Sequence, residues 1–310
     1  MKRKAGRIIF SVFLMVLFFC GYQFLESSTY PENQEKKQDQ DFYESVEVPD
    51  TIYFAGEKVP LEYFDVYESL DRELLVNSYF HSQTIRFLKM APRFFSIIEP
   101  ILKEDSIPVD FKYLALAESG FDPRVVSPAG AVGFWQFMKG TAKDYGLVIN
   151  DEIDERYHIE KSTHAACAYL HESYKKYGSW TMVAATYNAG RNFVGRQIER
   201  QQETNYYDLL LGEETSRYVF RILALKLVME NPEKFGFQVS KHELYTTWNT
   251  KTIKLTGSVT NFADFAKEHG TNYKILKMLN PWLREAYLTN TAGKTYEIKL
   301  PAEGFRTNTN

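Results

Sequence analysis

The sequence predicts a mainly α domain followed by a small β-α-α-β domain. Three observations carry this. Apolar residues recur at helical spacing over most of residues 66–235. Two alternating segments, Lys251–Leu255 and Thr295–Leu300, flank two short helical patterns. The length of 310 residues fits about two domains at roughly 150 residues each.

The first element is an N-terminal signal or anchor, residues 1–25. Lys2, Arg3, Lys4 and Arg7 precede an apolar run from Ile8 to Leu25, broken only by Ser11, Gly21, Tyr22 and Gln23. A basic start before such a run is an export signal. No small-residue cleavage site follows, which favours an uncleaved anchor. At about 18 residues the run is just long enough to span a bilayer. The basic flank leaves the N-terminus in the cytoplasm and the rest of the chain outside. Cys20 offers a second route, lipidation, although Phe19 stands where a lipid-attachment motif carries a small residue. Residues 26–60 read as a linker. Residues 26–50 are polar, and Phe54–Val59 with Gly56 forms a short extended piece or turn.

The helical domain spans 61–240. Leu70, Leu74, Leu75 and Tyr79 form its first face. A helix from about Ser82 to Met90 follows, and Pro92 opens the next as a first-turn proline. Phe111–Ser119 is a helix that Gly120 closes with a left-handed cap. Thr141–Tyr145, Lys161–Tyr177, Trp180–Asn188 and Thr215–Asn231 are the later helices, with stops at Gly178 and Pro232. Residues 250–302 hold the second domain. Asn261–His269 and Asn272–Leu279 are its helices, ended by Gly270 and near Pro281, and Gly257 and Gly293 mark turns.

Composition excludes several classes. A formal net charge of −3 gives no basic stripe for nucleic acid. Two cysteines, Cys20 and Cys167, permit neither a zinc pair nor a disulfide framework. Cys167 sits in an Ala-rich helix as a small buried hydrophobe. His164 and His171 share a helical face, but the six histidines show no metal-ligand spacing. No metal or cofactor is expected, and the chain is expected to be a monomer.

Chemistry centres on Glu118. It closes a helix beside Leu114, Leu116 and Ala117. Burial disfavours the charged carboxylate, and the negative end of the helix dipole acts in the same direction. Both suit an acid that must keep its proton near neutral pH. Further along stand Ser127-Pro-Ala-Gly-Ala-Val-Gly-Phe-Trp-Gln-Phe-Met138, Thr186-Tyr-Asn-Ala-Gly190 and Glu213-Glu-Thr-Ser-Arg-Tyr-Val219. Gly130 and Gly133 would let backbone approach a bulky polymer, and Phe134 and Trp135 could stack on a sugar ring. Phe134 and Phe137 read equally as core, and Trp180 reads as core.

Together with Glu118-Ser-Gly-Phe121, these four motifs resemble, in order and spacing, the soluble-lytic-transglycosylase (goose-lysozyme-like) superfamily. The membrane-bound type D branch is the nearest in look. The resemblance covers about residues 85–235 and implies a lysozyme-like helical catalytic domain acting on peptidoglycan glycan strands. Glu118 matches the catalytic acid/base, Ser119 a residue orienting the site, and Gln136 a substrate-binding amide. Tyr187 and Asn188 match the pair whose tyrosine hydroxyl approaches the carboxyl while the amide meets the sugar. Glu214 and Tyr218 match the motif that closes the groove.

Ordinary glycosidases flank the bond with two carboxylates. The motifs match no second acid near Glu118, since Asp122 before Pro123 reads as a turn residue and Glu214 as a structural polar contact. The resemblance therefore implies one carboxyl working with a nucleophile from the substrate, the C6 hydroxyl of N-acetylmuramic acid, to leave a 1,6-anhydro end. A water-using muramidase and a non-catalytic peptidoglycan-binding protein are the competing readings. The last domain resembles a lysin-motif (LysM) module, with Phe262, Phe265, Ile275, Leu276 and Leu279 as core and Asn280-Pro281 echoing a family element. Its first loop, Gly257-Ser-Val-Thr-Asn-Phe262, departs from the family. The expected location is the cell envelope, on the periplasmic side and membrane-anchored.

Overall fold

The computed structural model describes residues 45–307. The predicted anchor and Cys20 lie outside the described residues. Among those described, no helix is long and apolar enough to cross a membrane.

The chain enters through Val48 and Ile52, both buried, into a hairpin of β1 (Tyr53–Phe54) and β2 (Glu57–Lys58). Phe54 and Val59 are fully buried in the main core. The expected linker therefore does not reach residue 60, because four apolar side chains between 48 and 59 pack inward. The hairpin also ties two helices. Asp110 accepts from the Ala55 amide at 2.8 Å and pairs with Lys226 at 2.6 Å. Glu57 accepts from the Trp180 and Thr181 amides at 2.6 and 2.9 Å.

Helix α1 runs Phe64–Tyr79 and α2 runs His81–Glu104. The sequence suggests a break at Pro92, yet α2 continues through both Pro92 and Pro100. Its buried stripe (Phe87, Leu88, Ala91, Phe94, Ile98, Ile101) passes both prolines without a phase change. Each proline lies on the exposed face, where water can meet the carbonyl that loses its partner. The short α3, Phe111–Ser119, packs on α8, Glu213–Glu230. Between them in sequence come α4 (Lys139–Asp144), α5 (Ile159–Tyr177), α6 (Trp180–Ala189) and α7 (Arg191–Gln201). Helix α7 is absent from the sequence reading. Its only buried side chain is Val194, so it has almost no apolar face to read. Trp180 stacks on Tyr174 at 4.0 Å.

The C-terminal module pairs β3 (Thr250–Leu255) antiparallel with β4 (Tyr296–Pro301), around α9 (Phe262–Glu268) and α10 (Tyr273–Leu279). Asn261 and Asn272 cap the two helices through their side-chain oxygens, and each satisfies an amide of the first turn. Asn280, fully buried, donates to the Leu276 and Lys299 carbonyls and accepts from the Lys299 amide, clamping α10 to β4. The module core is not closed on itself. Val132, Ile153 and Tyr157 of the helical domain pack with Phe262, Leu276, Trp282, Leu283 and Ile298. Ile153 bridges Leu283 antiparallel, the Asp154 amide donates to the Trp282 carbonyl at 2.9 Å, and the Arg284 amide donates to Glu152 at 2.8 Å. Lys299 pairs with Glu160 across the same seam.

Candidate active site

Glu118 occupies the last turn of α3. Gly120, at φ 54°, ends that helix in the left-handed conformation, with its amide on the Leu116 carbonyl at 2.8 Å. Phe121 follows at φ 61°, and its buried ring packs on Phe87, Phe94 and Phe95. Two successive left-handed residues turn the chain sharply, so the Glu118 carboxyl faces α8 while the aromatic anchor goes into the core.

The Glu118 side chain is partly buried, and Tyr218 donates a short hydrogen bond to its Oε1. Burial pushes the Glu118 carboxyl up to about 7. The Tyr218 hydroxyl and the Arg221 charge pull the other way, and Glu214 adds to the rise. Glu214, Tyr218 and Arg221 stand at i, i+4 and i+7 on α8, so one helix face presents all three toward the carboxyl. Tyr218 is buried and held well above its ordinary value, first by desolvation and then by Glu118. It stays a neutral donor.

Tyr187 makes no hydrogen bond to Glu118 among the described residues. Its hydroxyl donates to the Trp135 carbonyl at 2.7 Å. It lies near enough for the Glu118 charge to push its phenol further above the ordinary value, second to burial. Asn188, next on α6, accepts from Thr215 Oγ1 at 2.8 Å. Its Nδ2 has no protein partner among the described residues. Gln136 adopts φ 46°, and its Nε2 donates to Gly133 and Val125 carbonyls at 2.8 and 3.3 Å. The side-chain oxygen is left without a protein partner among the described residues. Ser119 turns inward: its hydroxyl donates to Ala115 at 2.8 Å and accepts from the Phe121 amide at 3.2 Å. It holds the turn that aims Glu118.

Phe134 and Trp135 do not line a sugar platform. They are 1% and 0% exposed, and Trp135 Nε1 donates to Thr163 at 2.9 Å. Phe137 is likewise core. These rings anchor the loop from within, so that Gln136 between them stays at the surface of the site. Gly133 is required for a different reason than approach to a polymer. A Cβ there would lie 2.2 Å from the Arg156 carbonyl. Arg156 is the hub below the loop. It pairs with Asp154 at 2.7 Å and donates to the Gly130 and Phe137 carbonyls, both at 3.1 Å.

Sequence reasoning missed Arg221 and Arg156. Arg221 was findable, since it follows Tyr218 by three residues on one helix. Arg156 lies in a 3-10 turn with no periodic signal. Among the described residues, no group of three or more His, Cys, Asp or Glu is placed to hold a metal ion.

The family "Transglycosylase SLT domain" matches residues 95–210, and "Soluble lytic transglycosylase C-terminal LysM-like domain" matches residues 251–304. The membrane-bound lytic murein transglycosylase D of Escherichia coli (strain K12) is 31% identical over 177 residues, covering 56% of this chain and 38% of that protein. The soluble lytic murein transglycosylase of the same organism is 29% identical over 120 residues, covering 36% of this chain and 19% of that protein. The chain thus aligns with well under half the length of these relatives. The crystal structure of the 70 kDa soluble lytic transglycosylase from Escherichia coli aligns at 21% identity with a TM-score of 0.38, over 49% of this chain and 26% of that one. Glu118 and the motif-bearing segments that follow it as far as Asn188 therefore lie within the stretch that matches the transglycosylase SLT domain family, and the C-terminal module is the stretch that matches the LysM-like family.

Proposed function

We propose that the chain is a peptidoglycan lytic transglycosylase that cleaves the β-1,4 bond between N-acetylmuramic acid and N-acetylglucosamine. The observation that carries this reading is the half-sunken Glu118 carboxyl, raised to about 7 and touched by the Tyr218 hydroxyl. Such a group keeps its proton at neutral pH and still surrenders it readily. In the first step Glu118 protonates the glycosidic oxygen as the C1–O bond breaks. The acetamido group of the muramic residue stabilises the cationic C1. In the second step the C6 oxygen of the same sugar attacks C1, and its proton passes to Glu118. The ring closes as the 1,6-anhydro sugar, the carboxyl is regenerated and no water is consumed.

The other side chains have matching roles under this reading. Tyr218 holds Oε1, which leaves Oε2 to carry the transferred proton. The free Nδ2 of Asn188 and the free oxygen of Gln136 face substrate groups as donor and acceptor. Ser119 fixes the turn behind Glu118, Tyr187 ties α6 to the Trp135 backbone, and Glu214 and Arg221 set the charge around the carboxyl. The LysM-like module and the helical domain act on the same polymer. The reading places the protein in the cell envelope on the periplasmic side, held by residues 1–25 or by a lipid on Cys20.

Mass spectrometry of muropeptides released from purified sacculi tests the reaction. Anhydro-terminated products are expected. Reducing ends, heavier by one water, would make the chain a muramidase, and no release would leave it a binding protein.

A further inference from the structure

A groove of about 780 Å³ runs between α2, the loop after Glu118 and the helix α10 of the C-terminal module. Six cations line it: Arg86, Arg93, Arg124, Lys274, Lys277 and Arg284. Asp122 is the sole acid in its lining, 3.9 Å from Arg124. This concentration of positive charge stands in a chain of net charge −3.

The other five cations have no carboxylate partner within ion-pair distance among the described residues. Their hydrogen bonds go to backbone carbonyls. Arg86 donates to Gly120 at 3.0 Å, Arg93 to Thr246 at 2.8 Å, Lys277 to Glu285 at 2.8 Å and Arg284 to Pro281 at 3.0 Å. Carbonyls satisfy N–H groups but leave the charges unneutralised. Lys277 is held down to about 8 by burial and by Arg284 beside it. Trp248, under the Arg93 guanidinium at 4.8 Å, and the exposed Tyr273 give the groove flat apolar walls. At one end Arg86 grips the Gly120 carbonyl, two residues past Glu118, so the groove starts where the catalytic helix stops.

We propose that this groove binds the carboxylates of the stem peptides carried by the glycan strand that Glu118 cleaves. The inference rests on the transglycosylase reading above. A strand threaded past the end of α3 presents, at every second sugar, a short peptide rich in free carboxylates and with little bulk. A channel of unneutralised cations with aromatic walls is complementary to that peptide rather than to the neutral glycan.

The test uses the full chain carrying Glu118→Gln and two probes, uncrosslinked glycan strands with their peptides and the same strands stripped by an amidase. Peptide-bearing strands are expected to bind about tenfold more tightly than stripped ones, and Arg124→Glu with Lys274→Glu to abolish that ratio. Both residues are exposed, so the fold tolerates the changes. A ratio that survives the double substitution overturns the proposal. So does an equal loss on both probes, which would assign the groove to glycan. Loss of binding to anionic phospholipid vesicles with the ratio intact would assign it to a membrane surface and also overturn it. Digestion of stripped strands by the unsubstituted protein separates the two readings. Cleavage with an unchanged ratio sinks only the peptide groove, and no cleavage of either strand sinks the enzymatic reading.

Discussion

The Tyr218 hydroxyl donates to Glu118 Oε1 across 100 residues of sequence, joining the end of α3 to the second turn of α8. The bond lowers the carboxyl's affinity for its proton while desolvation raises it, and desolvation wins. The result is an acid poised near neutrality by two opposed effects.

The balance sets the pH profile. Activity needs the protonated carboxyl, so kcat/KM is expected to fall about tenfold per pH unit above about 7. Tyr218→Phe removes a group that favours the carboxylate, so this alkaline limb should move up. Arg221→Met should move it the same way, and Glu214→Gln should move it down. A limb unmoved by all three would show that another group titrates.

Glu118→Gln should reduce turnover of sacculi roughly 1000-fold. It should also stabilise the fold, in a pH-dependent way. The carboxyl titrates near 4.5 when unfolded and near 7 when folded. Between those values the unfolded chain gives up its proton first, so wild-type stability declines as pH rises through the window. Glutamine does not titrate. The variant should therefore gain about 1–3 kcal/mol over wild type at pH 8 and little at pH 4. Thermal melts at the two pH values measure this.

Gly133→Ala should cost about 2 kcal/mol or more, because φ is +78° and a Cβ meets backbone at 2.2 Å. The Arg156 carbonyl cannot give way without dragging the Asp154 pair. Urea unfolding reads the loss, and KM for glycan strands should rise as Gln136 is displaced.

Leu283→Ala should destabilise the whole described body, not the module alone. Leu283 is 1% exposed, bridges Ile153 across the seam and shares one buried core cluster with Val132. A loss of about 2–4 kcal/mol is expected, within one cooperative calorimetric transition. Two separate transitions would mean that the shared core does not couple the halves.

Sequence and structure agree best where chemistry and local geometry coincide. Glu118 with Gly120 reads directly, because a helix end and a left-handed cap leave a local mark. Tyr218 reads through its motif. Trp135 misled, and Phe134 stayed open between core and cleft, because a ring that anchors a loop from inside has the same spelling as one that faces a ligand. The acceptor of the Tyr187 hydroxyl was illegible for a related reason: it is the Trp135 carbonyl, and backbone partners leave no trace in side-chain identity. The seam between the domains was illegible, since Val132, Ile153 and Tyr157 lie on non-periodic segments whose apolar faces gain meaning only once the module is docked.

Glu57 fixes how much of the N-terminal segment a folded fragment has to keep. It sits in a two-residue strand, yet its carboxylate takes the first amides of α6, the helix whose far end bears Tyr187 and Asn188. A soluble fragment trimmed at residue 61, where the polar stretch gives way to helices, would leave the Trp180 and Thr181 amides without their carboxylate acceptor, with only the Ser179 cap on Met182 remaining. It would also open a hole where Phe54 and Val59 had been. A recombinant boundary placed before Val46 keeps the scaffold of the site whole.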